Sequence, residues 1–145
     1  MSEAGVPAVA DPGGEIVNLC HQNNIVVIPL VGPNSIILAL SASGLNGQSF
    51  TFNGYIPIKQ PERNKFLQRM DADAQKGNTQ IFIETPYRNN SLLQDIIHQV
   101  RSSTKLCIAS DITGTREKII TRNIAEWKKD IPKMDKIPAI FLLGM

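Results

Sequence analysis

Cysteine is scarce in this chain: Cys20 and Cys107 are the only two among 145 residues. Both sit in apolar stretches, which reads as two buried thiols of a cytosolic protein. No Cys/His spacing forms a zinc site, so no metal is expected. No apolar run approaches the roughly 20 residues that span a bilayer. The opening residues are acidic and rich in Gly and Pro, unlike a secretory signal. A cytoplasmic protein with no membrane partner is the expectation. An excess of one charge is also missing. Fifteen basic against thirteen acidic residues leave +2, too balanced to imply nucleic acid by itself. The basic residues are dispersed. Arg63, Lys65 and Arg69 share one helical pattern, and Lys128, Lys129, Lys133 and Lys136 lie near the end. Acids interleave both groups, so solvated faces are expected. There is no internal repeat and no low-complexity segment.

What is present is an alternation of short apolar runs and loops. Asp11-Pro12 reads as an N-cap followed by Pro at the first helical position, before Ile16, Leu19 and Cys20 at helical spacing. "IVVIPL" (25–30) is short, β-branched and apolar, the pattern of a buried strand. "VGPNS" is a tight loop in which Asn34 or Ser35 can cap the next helix. That helix, "SIILALSASG", is apolar all round, which predicts burial, and it stops at Gly44. Strands follow at 49–55, 79–84, 105–110, 117–121 and 138–144. Helices are predicted over 61–77, from 91 along "SLLQDIIHQVRSS", and over 123–131, where Trp127 and Ile124 should pack on a sheet. Six strands and five helices in near-alternation argue α/β with a largely parallel or mixed sheet. The pattern changes at "SGLNGQ". Residues 1–45 hold one strand and two helices and cannot bury a core of their own.

In an open α/β sheet, ligands sit at the carboxyl ends of strands. Four loops rich in Gly, Pro, Asn, Ser or Thr occupy such ends: Glu3 to Gly14 (if a strand precedes it), Pro29 to Ser35, Glu84 to Asn90 and Ser110 to Thr115. Such loops bring backbone N–H and C=O groups close to a ligand. Each also has a plain reading. "ADPGG" could hold a phosphate at a helix N-terminus, but it has neither a dinucleotide nor a P-loop fingerprint and no lysine, so a simple N-cap turn is favoured. Glu84 and Arg88 could act as an acid–base pair, yet a surface ion pair is the commoner outcome. His21 and His98 lie mid-helix among polar neighbours, and Ser110-Asp111 has no histidine nearby to make a triad. The residues therefore support a small-molecule site of four loops, with no identifiable catalytic side chain.

Four segments in register resemble the tetrapyrrole (corrin/porphyrin) methylase family of S-adenosylmethionine-dependent methyltransferases. They are "SEAGVPAVADPGG", "IPLVGPNSIILALSASGL", "FTFNGYIP" and "IFIETPYR". They look closest to the branch that methylates a ribose 2'-hydroxyl of small-subunit ribosomal RNA, whose counterparts read "SDAGTPLISDPG", "VPLPGPxxAxxALxxSGL", "FxFxGFLP" and "xxFYESPHR". Glu3 stands for the usual Asp, and Val31 for a Pro. Ser110, Asp111 and Gly114 stand for that branch's Arg, Glu and Lys.

The resemblance implies an α/β C-terminal methylase domain, a mixed sheet of about five strands flanked by helices, over residues 46–145. Residues 1–45 would be the tail of an N-terminal cofactor-binding domain whose front half is absent. It implies S-adenosylmethionine held in the cleft between the domains by Glu3, Ala4, Gly5, Asn34, Ser35, Glu84 and Ile112, and it implies a homodimer. The methyl acceptor would be RNA ribose or a tetrapyrrole-like small molecule. The lack of catalytic side chains suits methyl transfer from an activated sulfonium, which asks chiefly for in-line placement. The rival reading is a non-catalytic ligand-binding or dimerisation domain that keeps the fold.

Overall fold

The computed structural model describes residues 6–134 and 136–145. The chain divides into two compact units at Ser35/Ile36.

Among the described residues of the first unit, α1 (Gly14–Gln22) is the regular element. Its N-cap is Gly13, at φ 137°, with no side chain capping it, so the helix starts later than the Asp11-Pro12 signal suggests. None of its residues is buried. Asn23 closes it, its side-chain amide donating to the Leu19 carbonyl at 2.8 Å. The run 25–30 forms no strand. Val26 is 81% and Leu30 85% exposed. The expectation of a buried strand fails here for a physical reason. A β-branched apolar run becomes a strand only when a neighbour satisfies its backbone groups and covers its faces, and among the described residues none pairs with it. Cys20 is likewise only half-buried, whereas Cys107 is fully buried.

The second unit is built on a mixed sheet. Its strands are β1 (Phe50–Tyr55), β2 (Thr79–Ile83), β3 (Lys105–Ser110), β4 (Lys118–Asn123) and β5 (Ala139–Gly144), in spatial order β1-β2-β5-β3-β4. Five strands stand where six were expected, the run 25–30 being the one missing. β1 and β2 are parallel, and β5 is antiparallel to both β2 and β3, as β4 is to β3. β1, β2 and β3 therefore finish at the same end of the sheet, where β4 and β5 begin. "AIFLLG" lies in the middle and is buried throughout, which is what a continuous apolar run requires.

The two faces have separate cores. On one lie α3 (Glu62–Gln75), α4 (Asn89–Gln99) and the short α5 (Ile124–Trp127). Leu67, Met70, Leu93 and Ile96 meet Phe82 and Phe141 there, and the two phenyl rings stack with centroids 5.7 Å apart. The amides that open α5 are satisfied by the loop between α4 and β3, Ile124 donating to Thr104 at 2.9 Å and Ala125 to Ser102 at 3.0 Å. Trp127 packs on the sheet as expected, its indole N–H donating to the Leu106 carbonyl at 2.9 Å. On the opposite face, Ile36, Ala39 and Leu40 of α2 (Ser35–Ser43) cover Ile81, Cys107 and Leu142. α2 is buried along one side only, and Ile37 is 49% exposed, so an all-apolar helix here is not a fully enclosed one. Its C-terminal end is fixed by Thr121, whose hydroxyl donates to the Ser43 carbonyl at 2.7 Å, and by Leu45, which lies against Gly144. Gly144 pairs with Lys105, where β3 begins. The N-terminal turn of α2 thus points toward the end at which β2 and β3 finish.

Candidate functional site

β2 ends at Ile83, and the chain leaves through Glu84 into a 3-10 turn (Pro86–Arg88) that leads directly into α4. Strand residues alternate between faces, so Glu84 follows Phe82 to the α3/α4 side. Its carboxylate is 1% exposed. One oxygen, Oε2, accepts from Arg63 at 2.9 Å. The other, Oε1, accepts from Arg88 at 2.8 Å, from the Thr85 amide at 2.7 Å and from the Thr85 hydroxyl at 3.2 Å. Burial pushes the Glu84 carboxyl up, but the bonds from Arg88 and Thr85 outweigh it and hold it below the usual carboxylate range. The Arg88 guanidinium is raised in turn by the same bond.

Arg63 is the centre of this cluster. It is 4% exposed and also donates to the Pro57 carbonyl and to Asp95, each at 2.9 Å. The sequence pattern placed Arg63 on a solvated face and Glu84 with Arg88 in a surface pair. The structure corrects both. Residues 63, 67, 70 and 74 fall on one side of α3 and are all buried. That spacing is the signal that could have shown Arg63 pointing inward, because a charge on an apolar stripe must find a partner there. Arg88 also lies over the Tyr87 ring, 4.9 Å from its centroid.

The loop after β3 is held by its own side chains. Asp111 and Thr113 adopt positive φ, 50° and 64°, which costs non-glycine residues roughly 1 kcal/mol or more each. The Asp111 carboxylate accepts from the Arg116 amide at 2.9 Å, and the Glu117 carboxylate from the Thr113 amide at 2.6 Å. A Cβ at Gly114 would clash with the Asp111 carboxylate, well inside van der Waals contact distance. A lysine at that position would therefore require a different Asp111 conformation. Between these anchors, Ile112 packs half-buried against the α2-side core together with Ile83 and Ile119.

The sequence-derived site residues are thus distributed unevenly. Glu84 and Ile112 reach the same end of the sheet, but their side chains lie on opposite faces. Ser35 is the first residue of α2 and Asn34 precedes it, both half-buried. Glu3, Ala4 and Gly5 lie outside the described residues. Ser110 donates to the Lys118 carbonyl at 3.1 Å, and His98 bonds the Gln94 carbonyl within its own helix at 2.6 Å. Among the described residues no cluster of His, Cys, Asp or Glu could hold a metal ion, and no helix is long and apolar enough to cross a membrane.

Comparison with known proteins gives a consistent result. The chain is 38% identical over 126 residues to the ribosomal RNA small subunit methyltransferase I of Vibrio cholerae, covering 87% of this chain and 43% of that protein. It is 32% identical over 146 residues to the protein of that name from Pasteurella multocida, covering 99% and 51%, and 35% identical over 133 residues to that of Escherichia coli O157:H7, covering 90% and 46%. The chain spans about half the length of the curated relatives it matches. Its fold resembles that of the methyltransferase CobJ, with a TM-score of 0.61 at 16% identity over 97% of this chain and 61% of that one. It also resembles the uroporphyrin III C-methyl transferase of Thermus thermophilus, with a TM-score of 0.55 at 16% identity over 97% and 62%. No protein-family model matches the chain. The loops after β2 and β3, the mixed five-stranded sheet and these alignments agree: along nearly its whole length the chain is similar to part of the ribosomal RNA small subunit methyltransferase I proteins, on a fold shared with CobJ and the uroporphyrin III C-methyl transferase.

Proposed function

We propose that this chain is part of an S-adenosylmethionine-dependent methyltransferase whose acceptor is a ribose hydroxyl of ribosomal RNA. The observation that carries the reading is sequence identity of 32–38% along nearly the whole chain to proteins named ribosomal RNA small subunit methyltransferase I. Tetrapyrrole enzymes share the fold at 16% identity, so the RNA acceptor is favoured over a small-molecule one. Residues 1–45 are assigned to an N-terminal cofactor-binding domain and 46–145 to a C-terminal methylase domain, in a cytoplasmic homodimer.

The residues fit the cofactor in part. Ile112 offers an apolar surface at the sheet end, beside backbone groups fixed by Asp111 and Glu117. Asn34 and Ser35 stand at the start of α2, and these, with Glu3, Ala4 and Gly5, would contact the cofactor chiefly through backbone groups. The Glu84 carboxylate does not fit, because it is buried and fully engaged by Arg63, Arg88 and Thr85. Only the Glu84 backbone is left for a ligand. The bound cofactor would supply a methyl group on a sulfonium, whose departure leaves a neutral thioether. What the chain must do is orient and exclude water. No side chain described here is assigned as the base that receives the ribose hydroxyl proton.

Titration calorimetry with S-adenosylmethionine tests this, on the 145-residue chain and on a chain carrying whatever its gene encodes upstream. The longer chain should bind and the shorter one bind weakly. Losing two or three backbone hydrogen bonds at about 1 kcal/mol each lowers affinity roughly a hundredfold. Absence of binding by the longer chain overturns the methyltransferase reading and leaves the non-catalytic alternative.

A further inference from the structure

On the α3/α4 face of the sheet, at its β4 edge, lies a cleft of about 160 Å³ that meets the strand-end loops only at Ser110. In β4, Lys118, Ile120 and Arg122 share one face and stand opposite Ser110, Ile108 and Leu106 of β3. Ile108 and Ile120 form an apolar floor with Met134. The far wall is α5 and the segment after it, which contributes Asp130 and Lys133. The charges around this cleft are unbalanced. Arg116, Lys118, Arg122 and Lys133 line it against one carboxylate, Asp130, in a chain whose net charge is only +2. Arg122 reaches Asp130 at 3.4 Å, and Arg116 approaches Asp111 at 3.9 Å. Lys118 and Lys133 make no ion pair among the described residues.

We infer that this cleft grips the sugar-phosphate backbone of the RNA acceptor, outside the loops assigned to the cofactor, an inference that rests on the RNA reading above. Guanidinium forks and free ammonium groups are the donors that phosphate oxygens take. Base recognition is disfavoured by the one aromatic ring in the wall. Trp127 is buried, its N–H is spent on Leu106, and the Arg122 guanidinium covers its face 5.1 Å from the centroid. No ring is left on which a base could stack, so the contact is to phosphate and is indifferent to sequence. Ser110, Arg116 and Lys118, which line it, flank the loop that carries Ile112, although the Ile112 side chain lies on the other face of the sheet.

Fluorescence anisotropy of a fluorescein-labelled single-stranded RNA of about 16 nucleotides tests it, using the whole 145-residue chain between 50 and 200 mM salt. Each phosphate contact contributes about −0.7 to the slope of log K against log salt. Lys118→Ala with Lys133→Ala should flatten the slope by about 1.4 and weaken binding roughly 20-fold at 0.1 M salt. Lys59→Ala with Lys65→Ala, two exposed lysines elsewhere on the same unit, should stay within twofold of the parent. RNA binding that is absent from the parent, unchanged in the first pair or equally lost in the second overturns the inference. Calorimetry with S-adenosylmethionine keeps it separable from the cofactor reading, since the anisotropy is recorded without that ligand. Its failure leaves the slope untouched, and both lysine pairs should retain the parent's response to it.

Discussion

Replacing Arg63 by methionine should destabilise the second unit by about 3 kcal/mol. Methionine keeps most of the volume along the side of α3 that carries Leu67, Met70 and Ala74, so the loss is electrostatic rather than a cavity. Three donors disappear together. They served Glu84, Asp95 and the Pro57 carbonyl. Removing one partner of a buried pair typically costs 3–5 kcal/mol, because the other charge stays buried without compensation. Here Arg88 remains on the second oxygen of Glu84 at 2.8 Å, and Asp95 is open enough to regain water, which places the effect near the lower bound. At about 4 °C per kcal/mol for a unit of this size, the melting midpoint should fall by roughly 12 °C. A double-mutant cycle with Glu84→Gln decides whether the pair is responsible. In the Glu84→Gln background the same substitution should cost only about 1 kcal/mol, a coupling near 2 kcal/mol. Coupling below about 0.5 kcal/mol would show that Arg63 acts through packing or through Asp95 alone, and the account of the cluster would be wrong.

The acid limb should report the same carboxylate. The folded Glu84 is held below its ordinary value of 4.5, so its contribution is fully present above about pH 4.5 and disappears as pH falls through the folded value. The stability gap between parent and Glu84→Gln should therefore narrow from pH 5 to pH 3 in urea titrations, and a gap of constant size contradicts the assignment. For the cofactor, Asn34→Ala should weaken S-adenosylmethionine binding only modestly in calorimetry, whereas Ser35→Trp should reduce it tenfold or more by filling space at the start of α2; the opposite order refutes a backbone contact. Exposed apolar surface on Ile37 and along 25–31 should be covered by association, so light scattering should give twice the chain mass, and a monomer at high concentration removes the homodimer.

How legible all this was depended on whether a residue's state is set locally or by a neighbour. "KLCIAS", "EKIIT" and "SLLQDII" carry enough period-two or helical pattern to fix element type, and β3, β4 and α4 appear where the pattern puts them. "IVVIPL" has the same local quality and forms no strand, because strand formation is a relation between segments and none of the described residues pairs with it. Strand order shows the same dependence. The last segment in the chain occupies the centre of the sheet, and its unbroken apolar run hinted at burial on both faces without saying between which strands. Charge was misread when it was treated as a label for surface. Arg63 is interleaved with acids in the sequence, but its helical phase matches Leu67 and Met70, and phase decides.

The same reasoning about phase bears on the site. Position along the sequence put Glu84 and Ile112 in one candidate site, because each follows a parallel strand. Parity separates them. Glu84 shares the side of Phe82, where α3 supplies an arginine, while Ile112 joins Ile81 and Ile83 on the side of α2. The two loops can then approach one ligand through the backbone at the end of the sheet where β2 and β3 finish, not through paired side chains. This accounts for a sequence with no recognisable nucleophile, base or phosphate clamp at those loops. It also separates two kinds of mutational effect. Truncating Glu84 releases Arg63 and Arg88 and acts on stability; altering Gly114 or Asp111 changes the path of the backbone beside Ile112. A loss of cofactor affinity in Glu84→Gln therefore has to be compared with its loss of stability before any contact is assigned to the carboxylate.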